Sequence, residues 1–141
     1  MSVKLLLLPV VAFAIAQSAA AGEVSDAFIG KTLGVTGVKH EVKTRNGFGK
    51  TAQDMVFRDA SGEGLITVRL ASADLYALWK QAAGADASAV RGVGVEAFQV
   101  HEGLVYLCAR SATSATCVTP DVLRNPKPSN EQILAIARAA L

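Results

Sequence analysis

The sequence predicts an α+β fold, an antiparallel sheet with helices packed on one face, in the order helix, three strands, helix, three strands, helix. Three observations predict it. Three stretches carry helix-start and helix-stop residues around apolar runs of helical spacing. Six short runs between them alternate apolar and polar residues with the period of a strand. Strands within each group of three follow one another through short turns, which pairs them antiparallel and leaves the helices to cover one side.

The 141-residue chain opens "MSVKLLLLPVVAFAIAQSAAAGEV". Lys4 supplies a positive start, Leu5 to Ala16 is apolar, and small residues follow, the order of a secretory signal peptide. The apolar run is shorter than the roughly 20 residues of a membrane-spanning helix. Ala19-x-Ala21 fits the small-x-small rule, so cleavage is expected after Ala21, with Ala20 the alternative. Gly22, not cysteine, follows the cut, so no lipid anchor is expected there. Residues 1–21 thus read as a leader and residues 22–141 as one domain, in the periplasm or secreted, with no membrane span in the mature chain. About 120 residues suffice for one core and not for two. The formal charge of +2 includes Lys4, so the mature chain is close to neutral and has no global field to draw in nucleic acid.

The first helix is expected over about residues 24–33. Ser25 caps it, Val24 and Ile29 are placed as a hydrophobic staple, and Gly34 stops it. "GVKHEVKTR", "DMVFRD" and "LITVRLA" then alternate as strands, the last two joined by the glycine-bearing "ASGEG". The second helix is "SADLYALWKQAAG": Ser72 caps it, Asp74 suits the positive end of its dipole and Gly84 ends it. Leu75, Leu78, Trp79 and Ala82 form its expected inner face. "AFQVHE", "LVYLCAR" and "ATCVTP" are the second strand group, and "SNEQILAIARAAL" is the last helix. The Ser129-x-x-Gln132 capping box opens that helix, and Ile133, Ile136, Ala137 and Ala140 form its stripe.

Alternation also assigns faces. Met55, Phe57, Ile66, Val68, Leu70, Phe98 and Val100 are expected beneath the helices, with Val38, His40 and Val42 beside them. Lys39, Lys43, Arg45, Arg58, Arg69, Gln99 and His101 are expected on a wet opposite face, with Glu41, Asp54 and Thr67 among them.

Cys108 and Cys117 are the only cysteines. A hairpin that sets Cys108 against Cys117 sets Leu107 against Val118 and Arg110 against Ala115, and leaves residues 111–114 as the turn. Opposed residues about 4.5 Å apart at Cα are within disulfide reach, and an oxidising compartment lets the bond persist. A redox site prefers C-x-x-C, and a zinc site prefers four ligands in close pairs. A structural disulfide is therefore expected, with no metal and no cofactor.

The motifs for chemistry are thin. His40, between two valines, reads as a hydrogen-bonded structural residue, and His101 as a polar turn residue. Ser111 and Ser114 lack a nucleophile-elbow pattern. "GVGVEA" matches G-x-G-x-x-A, but a dinucleotide site needs a helix after the glycines and here a strand follows. The feature with functional content is the basic sheet face, where Lys39, Lys43, Arg58, Arg69, Arg110 and His101 are the candidate ligand-binding residues for an anion or an acidic partner. Single-stranded nucleic acid wants stacking aromatics, and only Tyr106 is expected on that face, so no nucleic acid partner is expected.

"VRGVGVEAFQVHEGLVYLCAR", ahead of the closing "LAIARAAL" helix, resembles small uncharacterised bacterial exported domains marked by a "GVGDEAF"-like turn. Gly92, Val93, Gly94, Glu96, Ala97 and Phe98 match, and Val95 replaces the aspartate. The resemblance implies a PsbP/Mog1-like α+β fold and no enzymatic activity, and it transfers no catalytic residue. The expected function is a non-catalytic exported domain that binds a protein partner or envelope component. The alternative is a carrier or sensor of a small anionic ligand, and the weakest reading is a metal-dependent or hydrolytic enzyme built on His40 or His101.

Overall fold

The computed structural model describes residues 24–103 and 105–141. The expected leader and cleavage site lie outside them. Helix α1 (Asp26–Leu33) precedes β1 (Lys39–Gly47), β2 (Lys50–Arg58) and β3 (Gly64–Ser72). Helix α2 (Asp74–Ala83) follows, then β4 (Ser88–Val90), β5 (Glu96–Val100), β6 (Tyr106–Arg110), β7 (Ser114–Pro120) and α3 (Asn130–Ala140). The strands form one sheet in the order β1-β2-β3-β7-β6-β5-β4, and every neighbouring pair is antiparallel. The α+β class and the element order are those the sequence predicts, with β4 an additional short strand at one edge.

Local chemistry explains the helix ends. The Ser25 hydroxyl accepts from the Phe28 amide at 3.1 Å, and Gly34 ends α1 in the left-handed region. The α3 capping box forms in both directions, and its four expected stripe residues are buried. Helix α2 differs at its start: its N-cap position is Ala73, while the Ser72 hydroxyl donates to the Asp74 carboxylate.

The helices occupy both faces of the sheet, not one. On the first face α1 and α3 cover Met55, Phe57, Ile66, Val68, Leu107, Ala109 and Val118. On the second, α2 lies over β6, β7 and β3, and Tyr76 meets Phe98, Val100, Cys108 and Ala115. Phe98 and Val100 therefore belong opposite to Met55 and Phe57. Gln99 moves the other way, packing with the α3 side and donating to Asn130 at 3.2 Å. The reason is visible along β5: residues 97 to 100 are all buried, the pattern of a strand covered on both faces. Phe98 is fully buried, and truncating such a ring costs about 3–5 kcal/mol, too much for a wet face. Within α2, Tyr76 and Ala83 replace Leu78 and Ala82 in the buried stripe, so the helix is rotated from its expected setting.

The β6–β7 hairpin has the expected register, with Leu107 opposite Val118, Cys108 opposite Cys117 and Arg110 opposite Ala115. The two sulfurs lie at disulfide distance, with Cα atoms 4.1 Å apart. His40 shares the α1 face but stays exposed. It is hydrogen-bonded through Nδ1 to Asp26 at 2.5 Å and packs 5.3 Å from the Phe57 ring. Among the described residues no helix is long and apolar enough to cross a membrane.

Candidate functional site

The sheet register builds the second face in rungs. One rung runs Lys43, Asp54, Arg69, Cys117, Cys108 and Phe98 across six strands. The next contains Glu41, Val56, Thr67 and Thr119. Helix α2 lies over this face from β3 to the Phe98 side and leaves the β1–β2 end open.

At that open end one carboxylate holds two arginines. Asp54 is 2% exposed. Arg69 donates to it from Nε at 2.8 Å and from Nη2 at 3.1 Å, and Arg45 donates from Nε at 3.0 Å. Burial alone would push the Asp54 carboxyl up; the hydrogen bonds and charges of Arg69, then Arg45, overcome it and hold the pKa below the ordinary value. A guanidinium carries five N–H donors, and these bonds use only part of that supply. Among the described residues Nη1 of Arg69 and both Nη atoms of Arg45 have no protein acceptor. Two cations against one anion leave the cluster one positive charge in excess.

Beside this cluster lies a groove of about 430 Å³, lined by Phe48, Thr67, Arg69, Trp79, Tyr106 and Thr119, with the cystine at its floor. It adjoins a smaller hollow of about 170 Å³ that shares Phe48, Arg69 and Trp79 and adds Arg45 and Lys50. The outer wall comes from the β1–β2 turn, whose central residues Phe48 and Gly49 have φ of 54° and 70°. Two left-handed residues in succession suit a tight hairpin, but a bulky side chain in that region costs about 1–2 kcal/mol. Phe48 is nevertheless 63% exposed, so core burial does not offset the cost. Lys50, just past the turn, pairs with Asp74 at the start of α2 and ties the hairpin to the helix.

The six candidate residues separate into three places. Lys39, Lys43, Arg58 and Arg69 share the open end. Lys43 and Arg58 lie 3.4 and 3.7 Å from Glu41, exposed pairs worth well under about 1 kcal/mol. Arg110 falls on the other flank of α2, 3.2 Å from Glu96, with its guanidinium 5.9 Å from the centre of the Tyr76 ring. Lys80 reaches the same carboxylate at 2.8 Å, and its hydrogen bond, with that of Arg110, lowers the Glu96 pKa against burial. A shallow concavity of about 680 Å³ on this flank mixes these cations with Glu96 and Asp74. His101 lies in the loop after β5, exposed and away from both clusters.

Sequence reasoning placed Arg45 and Asp54 on this face but missed that Asp54 is buried between two arginines. It also missed Phe48 and the partly buried Trp79 as groove walls. Tyr106 is therefore not the sole aromatic there. Among the described residues, no three His, Cys, Asp or Glu side chains cluster closely enough to hold a metal ion. No family model, curated protein or solved structure matches this chain.

Proposed function

We propose that the protein is an exported, non-catalytic binding domain that holds an acidic ligand at Arg69 in the groove beside α2, with Arg45 reaching it from the hollow that adjoins the groove. The observation that carries this reading is the buried Asp54 carboxylate. It fixes two guanidinium groups in place without using up their donors or cancelling their charge. A pre-positioned guanidinium loses little entropy on meeting a carboxylate or phosphate, which is what an anion site needs. Export is supported by the Lys4–apolar–Ala19-x-Ala21 leader and by a cysteine pair suited to an oxidising compartment. The non-catalytic part rests on the resemblance of the Gly92–Phe98 turn to exported PsbP/Mog1-like domains. It rests also on the histidines, since His40 lies on the α1 face and His101 in a loop, both away from the arginines. One excess charge suits a single acidic group better than a polyanionic strand, so nucleic acid is not the proposed partner.

Thermal melting against a panel of acetate, succinate, phosphate and phenylacetate tests the reading. At least one anion class raises the melting temperature with dose, and Arg45→Gln removes the rise while Lys43→Ala keeps it. A melting temperature unmoved by every anion, or a rise that survives Arg45→Gln and Arg69→Lys together, contradicts it.

A second reading, a protein partner or envelope component, is favoured by β1. It is an outer strand of the sheet and all nine of its residues are exposed, the arrangement to which another strand can add. Val42→Pro, which removes a backbone donor, separates the two readings: it abolishes strand addition and leaves anion binding at Arg69 intact.

A further inference from the structure

We infer that the acid held in this groove carries one flat ring and one carboxylate: an aryl monocarboxylate. The inference rests on the anion-binding reading above and adds the body of the ligand to its head. The head is set by charge, because the Arg45–Asp54–Arg69 cluster has one positive charge in excess and meets a monoanion more closely than a dianion. The body is set by the walls. Phe48, Trp79 and Tyr106 line the space around Arg69 from the β1–β2 turn, from α2 and from β6, while Thr67, Thr119 and the cystine give it a low floor. Aromatic side chains on several sides, with small residues beneath, favour a ring over a branched body.

Phe48 supplies a second, independent observation. Among the described residues it is the only non-glycine with positive φ, and it stays exposed. Glycine would serve the turn better, so the phenyl ring is maintained there against local preference. A ring covered by the ligand accounts for it. The chemistry has two sources, a free aryl acid or the C-terminal aromatic residue of a peptide. Both present the same ring and carboxylate.

Trp79 is the only tryptophan in the chain, so its fluorescence reports on the groove directly. The full mature chain is titrated with phenylacetate, N-acetylphenylalanine, phenylacetamide, acetate, octanoate and phenyl phosphate. Phenylacetate or N-acetylphenylalanine, or both, change Trp79 emission saturably, and the stronger of the two identifies the source. Neutral phenylacetamide and ring-free acetate bind at least about tenfold more weakly, the loss of one aromatic or one charged contact. Phe48→Gly weakens the aryl acid about tenfold while raising the melting temperature, a combination that misfolding cannot produce. Arg45→Gln weakens it without the risk of exposing Asp54 alone. Acetate binding as tightly as phenylacetate, with Phe48→Gly silent, overturns the inference and leaves the anion reading standing. Octanoate or phenyl phosphate outcompeting phenylacetate also overturns it, on the ring and on the single charge respectively. No response to any anion overturns both.

Discussion

Arg69 faces Asp54 across the β2–β3 pair and donates two hydrogen bonds to it, at 2.8 and 3.1 Å, with the carboxylate almost wholly buried. This relationship gives the face its chemistry. A buried carboxylate needs its cations, and the cations, once fixed, keep N–H donors it does not use, on which the proposed anion site rests.

Asp54→Asn removes the charge and leaves two guanidinium groups facing a neutral amide. The expected loss is about 2–3 kcal/mol at neutral pH, less than for a fully enclosed pair because both arginines reach solvent. The sign with pH follows from the lowered Asp54 pKa. Its stabilisation is complete above the unfolded-state value and is lost as pH falls through the folded one. Urea denaturation from pH 7 down to pH 3 shows wild type and Asp54→Asn converging in acid; a gap that stays constant or widens contradicts the ion-pair account.

Gly94→Ala strikes the turn into β5. Gly94 has φ of 58°, and a Cβ there would collide with the Arg110 carbonyl oxygen. That same oxygen accepts from the Val95 amide at 2.8 Å, so the strand cannot retreat. A loss of about 2 kcal/mol or more is expected from left-handed strain plus the clash. Gly34→Ala meets open space at a similar φ and should cost only the strain. Equal melting temperatures for the two variants would show that the Arg110 approach is unimportant.

Reduction of Cys108–Cys117, or the double serine variant, opens a loop of nine residues' separation. The chain-entropy cost is about 2–3 kcal/mol. The hairpin retains its Ser111–Ser114 turn bonds and its flanking strands, so the reduced protein should remain folded with a lower midpoint. Mass spectrometry of exported protein should find the two-hydrogen deficit; free thiols there would remove the bond from the account.

Tyr76 is buried, and among the described residues its hydroxyl has no hydrogen-bond partner. Burial, reinforced by the Glu96 charge, pushes its pKa up to about 12. Ultraviolet titration should show a late tyrosinate step that Tyr76→Phe abolishes. Because the folded pKa is raised, the stability linked to Tyr76 is present below pH 10 and disappears as pH climbs toward 12. Removing an unpartnered hydroxyl should be neutral or stabilising by up to about 1 kcal/mol. A loss above 1 kcal/mol would reveal a partner the hydroxyl does make.

Features set by local chemistry were legible in the sequence. The α3 capping box, the Ser25 cap and the Cys108–Cys117 register all depend on residues close together in the chain, and all are as expected. The two-sided burial of β5 and β6 was harder to read, because alternation loses its meaning where both faces are apolar: Phe98 and Gln99 are both buried, on opposite sides. The candidate site was half legible. Lys39, Lys43, Arg58 and Arg69 share a face by parity alone. Arg110 shares that parity, but α2 lies across this face over β6, β7 and β3 and separates it from the others. The burial of Asp54 requires Arg45 and Arg69 to converge from two other strands, which composition does not reveal. Phe48 gave no signal, since a hairpin turn centred on Phe-Gly departs from the Asn-Gly or Asp-Gly pattern.

The most direct test of the central claim, that Asp54 holds Arg45 and Arg69 ready for an acid, is a nitrogen–proton correlation spectrum of the mature chain titrated with phenylacetate. The account predicts dose-dependent shifts at the Arg69 and Arg45 Nε–H signals and the Trp79 indole, with backbone changes confined to Arg45, Phe48, Thr67, Arg69, Trp79, Tyr106, Thr119 and their neighbours. Shifts centred on Arg110, Glu96 and Lys80, or unmoved arginine signals at saturating acid, would contradict it.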